Sequence, residues 1–202
     1  MKTKLPKDPF NTACWSRGGI TDPRQVLAEV FNSSDIATLR TEIKQIVSYA
    51  QVDKLYKDHS PCDVLLDMKI VRSVLKAAHA LKDEKSSPVA VSANDIFDKS
   101  YYCSPFSKSG LWSDFPRCLS PEEFCNPYRV LKKFFKKQSL SKWIQDWKEM
   151  VECALSRHSS DTDLGSLQFY MRLVKLVEAA HLIDVREVTH IGGRLKNRFV
   201  DN

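Results

Sequence analysis

"DPRQVLAEVF" occupies residues 22–31 and "NPYRVLKKFF" residues 126–135. Both open on a short polar residue followed by proline, and both carry apolar side chains at 26, 27, 30, 31 and 130, 131, 134, 135. That spacing is one stripe of an α-helix. Asp22 and Asn126 read as N-caps, whose side-chain oxygen accepts from an orphan N–H. Pro23 and Pro127 read as first helical residues, where no N–H is needed.

Aligning Pro23 with Pro127 extends the match without gaps. Cys14 meets Cys118, Ser16 meets Ser120, Lys44 meets Lys148, and Val47 and Ala50 meet Val151 and Ala154. A break at "NSSD" and "KKQS" precedes a second helix in each copy, with Asp35 and Ser139 as caps. Its stripe runs Ile36, Leu39, Ile43, Ile46, Val47 in the first copy and Leu140, Trp143, Trp147, Met150, Val151 in the second. A third helix follows "HSPCD" (59–63) and "HSSD" (158–161), where His59 and His158 stand at helix entries. Ser60 with Asp63 forms a capping-box variant, with Pro61 at the first position. "MKIVRSVLKAAH" (68–79) then matches "MRLVKLVEAAH" (171–181) with one deletion.

The fold class expected is therefore all-α: two degenerate three-helix repeats packed together. Helices are predicted near 23–32, 36–51, 62–82, 127–137, 140–156 and 162–183. The organisation is repeat 1 at 1–82, a connecting segment at 83–117, and repeat 2 with a short basic tail at 118–202, in one compact unit. The connecting segment holds Phe97, Tyr101, Tyr102, Phe106, Trp112 and Phe115. That aromatic density argues for an irregular segment packed on the helices, with one short helix near 93–99.

"NPYRVLKKFF…LSKW" followed by "VEAAHLI" resembles a helical element of uncharacterised proteins from Bacteroidetes-type bacteria. The resemblance covers 118–155 and, more weakly, the equivalent part of the first half. It implies a helical fold and a bacterial source, and brings no known activity. The first copy departs from it, because "DPRQVLAEVF" lacks the tyrosine and the lysine pairs, so the two copies need not share one role.

The chain has 202 residues, 28% of them charged, and a formal net charge of +6. The excess cations lie mainly in the second half. No apolar run approaches the roughly 20 residues of a membrane span. The lysines of the opening "MKTKLPKDPFNTACW" are not followed by an apolar region, so the reading is a cytoplasmic chain without a signal peptide. Six cysteines contain no CxxC pair and have no matching histidines. Reduced thiols, without a zinc site or a disulfide framework, are expected, and no cofactor is implied.

Two features invite chemistry. Arg129, Lys132, Lys133, Lys136 and Lys137 share one helix face, which can neutralise phosphates, meet an acidic partner, or simply be solvated. Arg72 and His79 satisfy the loose Arg-x4-6-His spacing of the HEPN family of helical ribonucleases, with histidine as acid/base and arginine on the developing phosphate charge. Against this, the second copy has Lys175 where Arg72 aligns, and His79 and His181 both follow two alanines on a mostly apolar helix. A structural histidine fits that pattern better. GxGxxG, Walker A, GxSxG and HExxH are missing, and Asp63, Asp67, Asp161 and Asp163 read as first-turn acids that complement the helix dipole. The favoured reading is a non-enzymatic helical adaptor or regulatory protein that presents interaction surfaces, one of them basic, to an unknown protein partner. The alternative is a nucleic-acid binder or HEPN-like ribonuclease with low-specificity nucleic-acid contacts.

Overall fold

A computed structural model describes residues 22–57, 59–84, 89, 91–104, 112–156, 165–191 and 194–195. The protein is all-α. The helices are α1 (Pro23–Ser33), α2 (Ile36–Tyr49), α3 (Pro61–Leu81), α4 (Pro121–Cys125), α5 (Tyr128–Lys137), α6 (Leu140–Ala154) and α7 (Ser166–Glu187). Two 3₁₀ turns, Ala93–Asp95 and Lys99–Tyr101, lie in the connecting segment, and a two-residue antiparallel ladder pairs His190–Ile191 with Arg194–Leu195. Among the described residues no helix is long and apolar enough to cross a membrane, and no cluster of side chains is suited to a metal.

Most helices begin where their caps place them. The Asp22 carboxylate accepts from the N–H groups of Arg24 (3.0 Å) and Gln25 (3.3 Å). Asp35 accepts from Thr38 at 2.7 Å, and Ser139 from Lys142 at 3.2 Å. Ser60 accepts from the Asp63 N–H, while its hydroxyl donates to the Asp63 carboxylate rather than leaving that carboxylate for the backbone. Each such cap contributes about 1 kcal/mol.

Asn126 corrects the expectation. It does not cap α5. Ser120 and Glu123 form a complete capping box around Pro121, starting the short helix α4, which no expectation included. Asn126 closes that helix, its N–H reaching the Glu122 carbonyl, and α5 starts after Pro127 with no side-chain cap. The last helix also differs: α7 runs to Glu187, beyond the expected 183, because Arg186 and Glu187 both find tertiary partners. The expected start at 162, the residues His158, Asp161 and Asp163, the Cys14–Cys118 and Ser16–Ser120 matches at their first members, and Phe106 all lie outside the described residues.

Helix α7 is the axis of the core. From Leu173 to Asp184 nearly every side chain is buried, against α1, α2, α3 and α5. The aromatic residues of the second copy pack inside: Trp143 is fully buried and stacks on Phe134 with centroids 3.9 Å apart, and Trp147 donates its indole N–H to the Met68 carbonyl at 3.2 Å.

The helix contacts come in exchangeable pairs. α1 packs on α3 as α5 packs on α7, α1 touches α7 as α5 touches α3, and α2 touches α7 as α6 touches α3. Side chains repeat the exchange. His181 on α7 meets Phe31 on α1 edge-on at 5.0 Å, and His79 on α3 meets Phe135 on α5 edge-on at 4.9 Å. The Arg24 guanidinium donates to the Tyr128 hydroxyl at 2.9 Å, joining two positions 104 residues apart that also align with each other in sequence.

Phe31 is 2% exposed, whereas Phe135 is half-buried. Phe31→Ala is expected to cost about 3–5 kcal/mol by chemical denaturation, and Phe135→Ala about half of that or less, because less apolar surface and a smaller cavity are involved. Equal losses would show that the two crossed contacts do not differ in depth as described.

Candidate interaction surface

The five cations of α5 are all exposed. The helix that precedes them brings two carboxylates against the same face. Arg129 pairs with Glu122 at 3.0 Å and Lys133 with Glu123 at 3.2 Å. Glu123 is buried and also takes Lys175 at 2.7 Å. Burial opposes its ionisation, but Lys175, the Ser120 backbone and Lys133 outweigh that and hold its pKa at about 2. Lys132 lies within the field of Asp83. Lys136 and Lys137, at the C-terminal end, have no ion-pair partner among the described residues. The face is only partly compensated: Glu123 is shared with Lys175, Asp83 is paired with Lys82 at 2.7 Å, and exposed ion pairs are worth little individually.

Arg72 and His79 stand two turns apart on α3. The Arg72 Nε is buried without a hydrogen-bond partner. Burial pushes the His79 pKa down, Lys82 adds to that, and Asp83 opposes it. The neutral ring is set against Phe135, where it serves as a packing group.

The arrangement absent from the sequence reading lies in the connecting segment. Arg40 on α2 and Glu178 on α7 form a buried ion pair of 2.9 Å, with side chains 8% and 0% exposed. Arg40 also donates to the carbonyls of Phe115 (3.0 Å) and Ser113. Glu178 accepts from the N–H groups of Arg117 and Cys118, each at 2.8 Å. One ion pair therefore holds both carbonyls and amides of residues 113–118. A second anchor is Arg186, whose guanidinium donates to the carbonyls of Tyr101 (2.9 Å) and Phe124 (2.6 Å) and lies 4.5 Å from the Phe124 ring centroid. Burial lowers its pKa to about 10, which still leaves it charged at neutral pH.

The anchored segment contributes to two features. Phe115 stacks with Phe97 (5.8 Å) and meets Trp112 (5.8 Å) and Tyr102 (5.1 Å) edge-on. Tyr102 is buried, but Phe97 is 68% exposed and Trp112 65%. Arg117 and Cys118 help to line a cleft of about 300 Å³ together with Arg40, Thr41 and Lys44 of α2 and Tyr170 of α7. Burial raises the pKa of Tyr170, so its hydroxyl keeps its proton. The aromatic density of the segment was visible in the sequence. That two rings stay open to solvent was not.

A separate group of titratable side chains sits at the α2–α3 corner. The Tyr56 hydroxyl hydrogen-bonds Glu42 (3.0 Å) and Gln45 (2.9 Å), and His59 Nε2 lies 3.1 Å from the other Glu42 oxygen. Asp67, beyond the first turn of α3, is half-buried. Burial and the charges of Glu42 and Asp63 outweigh His59 and raise its pKa from 3.8 to about 7. Asp63 stands in the first turn of α3 as expected, whereas Asp67 lies beyond it and is repelled by Asp63 and Glu42.

Arg40→Met strands the Glu178 charge and releases two carbonyls. It is expected to cost about 3–5 kcal/mol and to accelerate amide exchange at residues 113–118 before the rest of the fold. For Asp67, the folded state keeps a proton that the unfolded chain releases near pH 3.8. Its contribution to stability is therefore lost as pH rises towards 7 and is flat above. The difference in stability between Asp67→Asn and wild type should grow in favour of the variant across that window; a pH-independent difference in denaturation midpoints would contradict the assignment.

Comparison of the chain with protein-family models, with curated proteins and with solved structures finds no match, so the reading of these surfaces rests on their own chemistry.

Proposed function

We propose that the protein is a non-enzymatic scaffold that works by presenting surfaces. Two degenerate helical units, α1–α3 and α5–α7, form the frame, and the described part of the segment between them carries the principal contact site. The exchangeable helix contacts and the crossed His–Phe pairs support the duplication. The observation that carries the function is the Arg40–Glu178 clamp. A connecting loop needs only to span its ends, yet here two buried charges are committed to its backbone while Phe97 and Trp112 remain exposed. Rigid loops bearing exposed aromatic rings are the usual form of a binding site.

The ribonuclease reading is weaker on the same grounds. His79 is lowered in basicity and packed on Phe135, and His181 makes the matching contact with Phe31. A residue pair repeated symmetrically inside the frame fits a structural role. The basic end of α5, Lys136 and Lys137, is a secondary surface.

Phe97→Ala/Trp112→Ala should leave the thermal unfolding profile within a few degrees of wild type, because both rings are exposed, while abolishing retention of whatever macromolecule the immobilised protein captures from cells of its source. His79→Ala should leave that retention unchanged. Retention unaffected by the aromatic pair would end the reading.

A further inference from the structure

The cleft between α2 and α7 and the exposed indole of Trp112, close in the chain to the cleft residue Arg117, have complementary chemistries. Lys44 and Arg117 reach the cleft with exposed side chains and no ion-pair partner among the described residues. Arg40 lies at its floor with its charge offset by Glu178, and Glu178 is the acid that Arg40 and two backbone amides already occupy. The net charge offered to a ligand is positive. The Tyr170 hydroxyl adds a neutral donor.

The same short stretch carries the aromatic face. Trp112 and Arg117 bracket six residues, at most about 18 Å even if fully extended. The carbonyls of Ser113 and Phe115, which Arg40 holds, keep the two ends at a fixed separation. Trp112 meets Phe115 (5.8 Å) and Phe97 (6.4 Å) edge-on, so no described ring stacks on the indole and it is a platform for a planar ring. Phe97 is a poorer one, because its ring is smaller and already stacks on Phe115.

We propose that this surface binds single-stranded nucleic acid, with a base on Trp112 and the following phosphates in the cleft at Arg117 and Lys44. The proposal rests on the scaffold reading and names its partner. A duplex presents no free base face to an indole, so stacking selects unpaired strands. A polyanion without aromatic groups, such as polyglutamate, would use the cations but has no planar ring for the indole. The basic face of α5 is the less suitable place, since that helix offers no exposed ring for a base: Phe134 is buried and Phe135 half-buried against His79.

Fluorescence anisotropy with a short labelled single-stranded RNA tests this on the full chain, with the same sequence as a duplex and polyglutamate as competitors. Wild type should bind the single strand, more weakly as salt rises from about 50 to 200 mM. Lys44→Glu/Arg117→Glu should weaken binding tenfold or more, and Trp112→Ala at least about fivefold. Lys136→Glu/Lys137→Glu should stay within about twofold. All these positions are exposed, so circular dichroism melts should match wild type, and Trp112→Phe should retain most of the affinity. No binding at low salt, binding indifferent to Trp112→Ala, equal competition by the duplex, or loss confined to the Lys136/Lys137 variant would each overturn the proposal. Capture that depends on Lys44, Arg117 and Trp112 but is competed only by polyglutamate would overturn it too, while leaving the scaffold reading intact.

Discussion

The Arg40–Glu178 ion pair is the constraint on which the arrangement of the connecting segment depends. Both side chains are buried, and burying two charges costs several kcal/mol per ion unless each is paired and its remaining hydrogen-bonding capacity is met. Here the balance is closed by the backbone of residues 113–118: two carbonyls for Arg40 and two amides for Glu178. The remaining hydrogen-bonding capacity of the pair is met by the loop backbone, and the pair in turn fixes four backbone groups of the loop. Apolar substitutes of similar volume would pack, but they would not dictate the path of the chain between Ser113 and Cys118. Specification of that path, more than net stability, is what the buried charges supply.

The clamp also distinguishes the two halves. Position 40 aligns with Ile144, and Glu178 aligns with Lys76. Two aromatic contacts, Phe31 with His181 and Phe135 with His79, correspond under that alignment, whereas Arg40 and Glu178 correspond to Ile144 and Lys76, which cannot form such a pair. The charges at 40 and 178 therefore mark one half alone as the seat of the loop.

Elements governed by neighbouring residues were legible. Asp22–Pro23, Asp35, Ser60–Pro61 and Ser139 act within four residues, and their helices begin where those signals stand. Asn126–Pro127 misled because the same local pattern was overruled by a stronger one: Ser120-Pro-Glu-Glu123 is a complete capping box, and its helix consumes Asn126. The end of α7 was underestimated because Arg186 and Glu187 are held by distant groups. Arg40 and Glu178 are 138 residues apart, so nothing in either local context marks them as partners. The α5 cations were correctly placed on one exposed face, but their compensation by Glu122 and Glu123 depends on how α4 folds back beside them.

Charge pattern and charge availability are therefore separate properties. Five cations on α5 look like the strongest electrostatic feature of the chain, yet the preceding helix answers two of them directly. Lys44 and Arg117 lie far apart in sequence, on different elements, and they meet at a cleft where Glu178 is occupied by Arg40 and two backbone amides. The potential felt by a ligand follows the uncompensated charges and the low-dielectric walls around them, rather than the density of lysines along a helix. The segment that brings Arg117 to Lys44 is the one that keeps Trp112 in the open. A single buried ion pair thus places a charge and a ring at a fixed separation, which is what recognition of a charged, aromatic ligand requires.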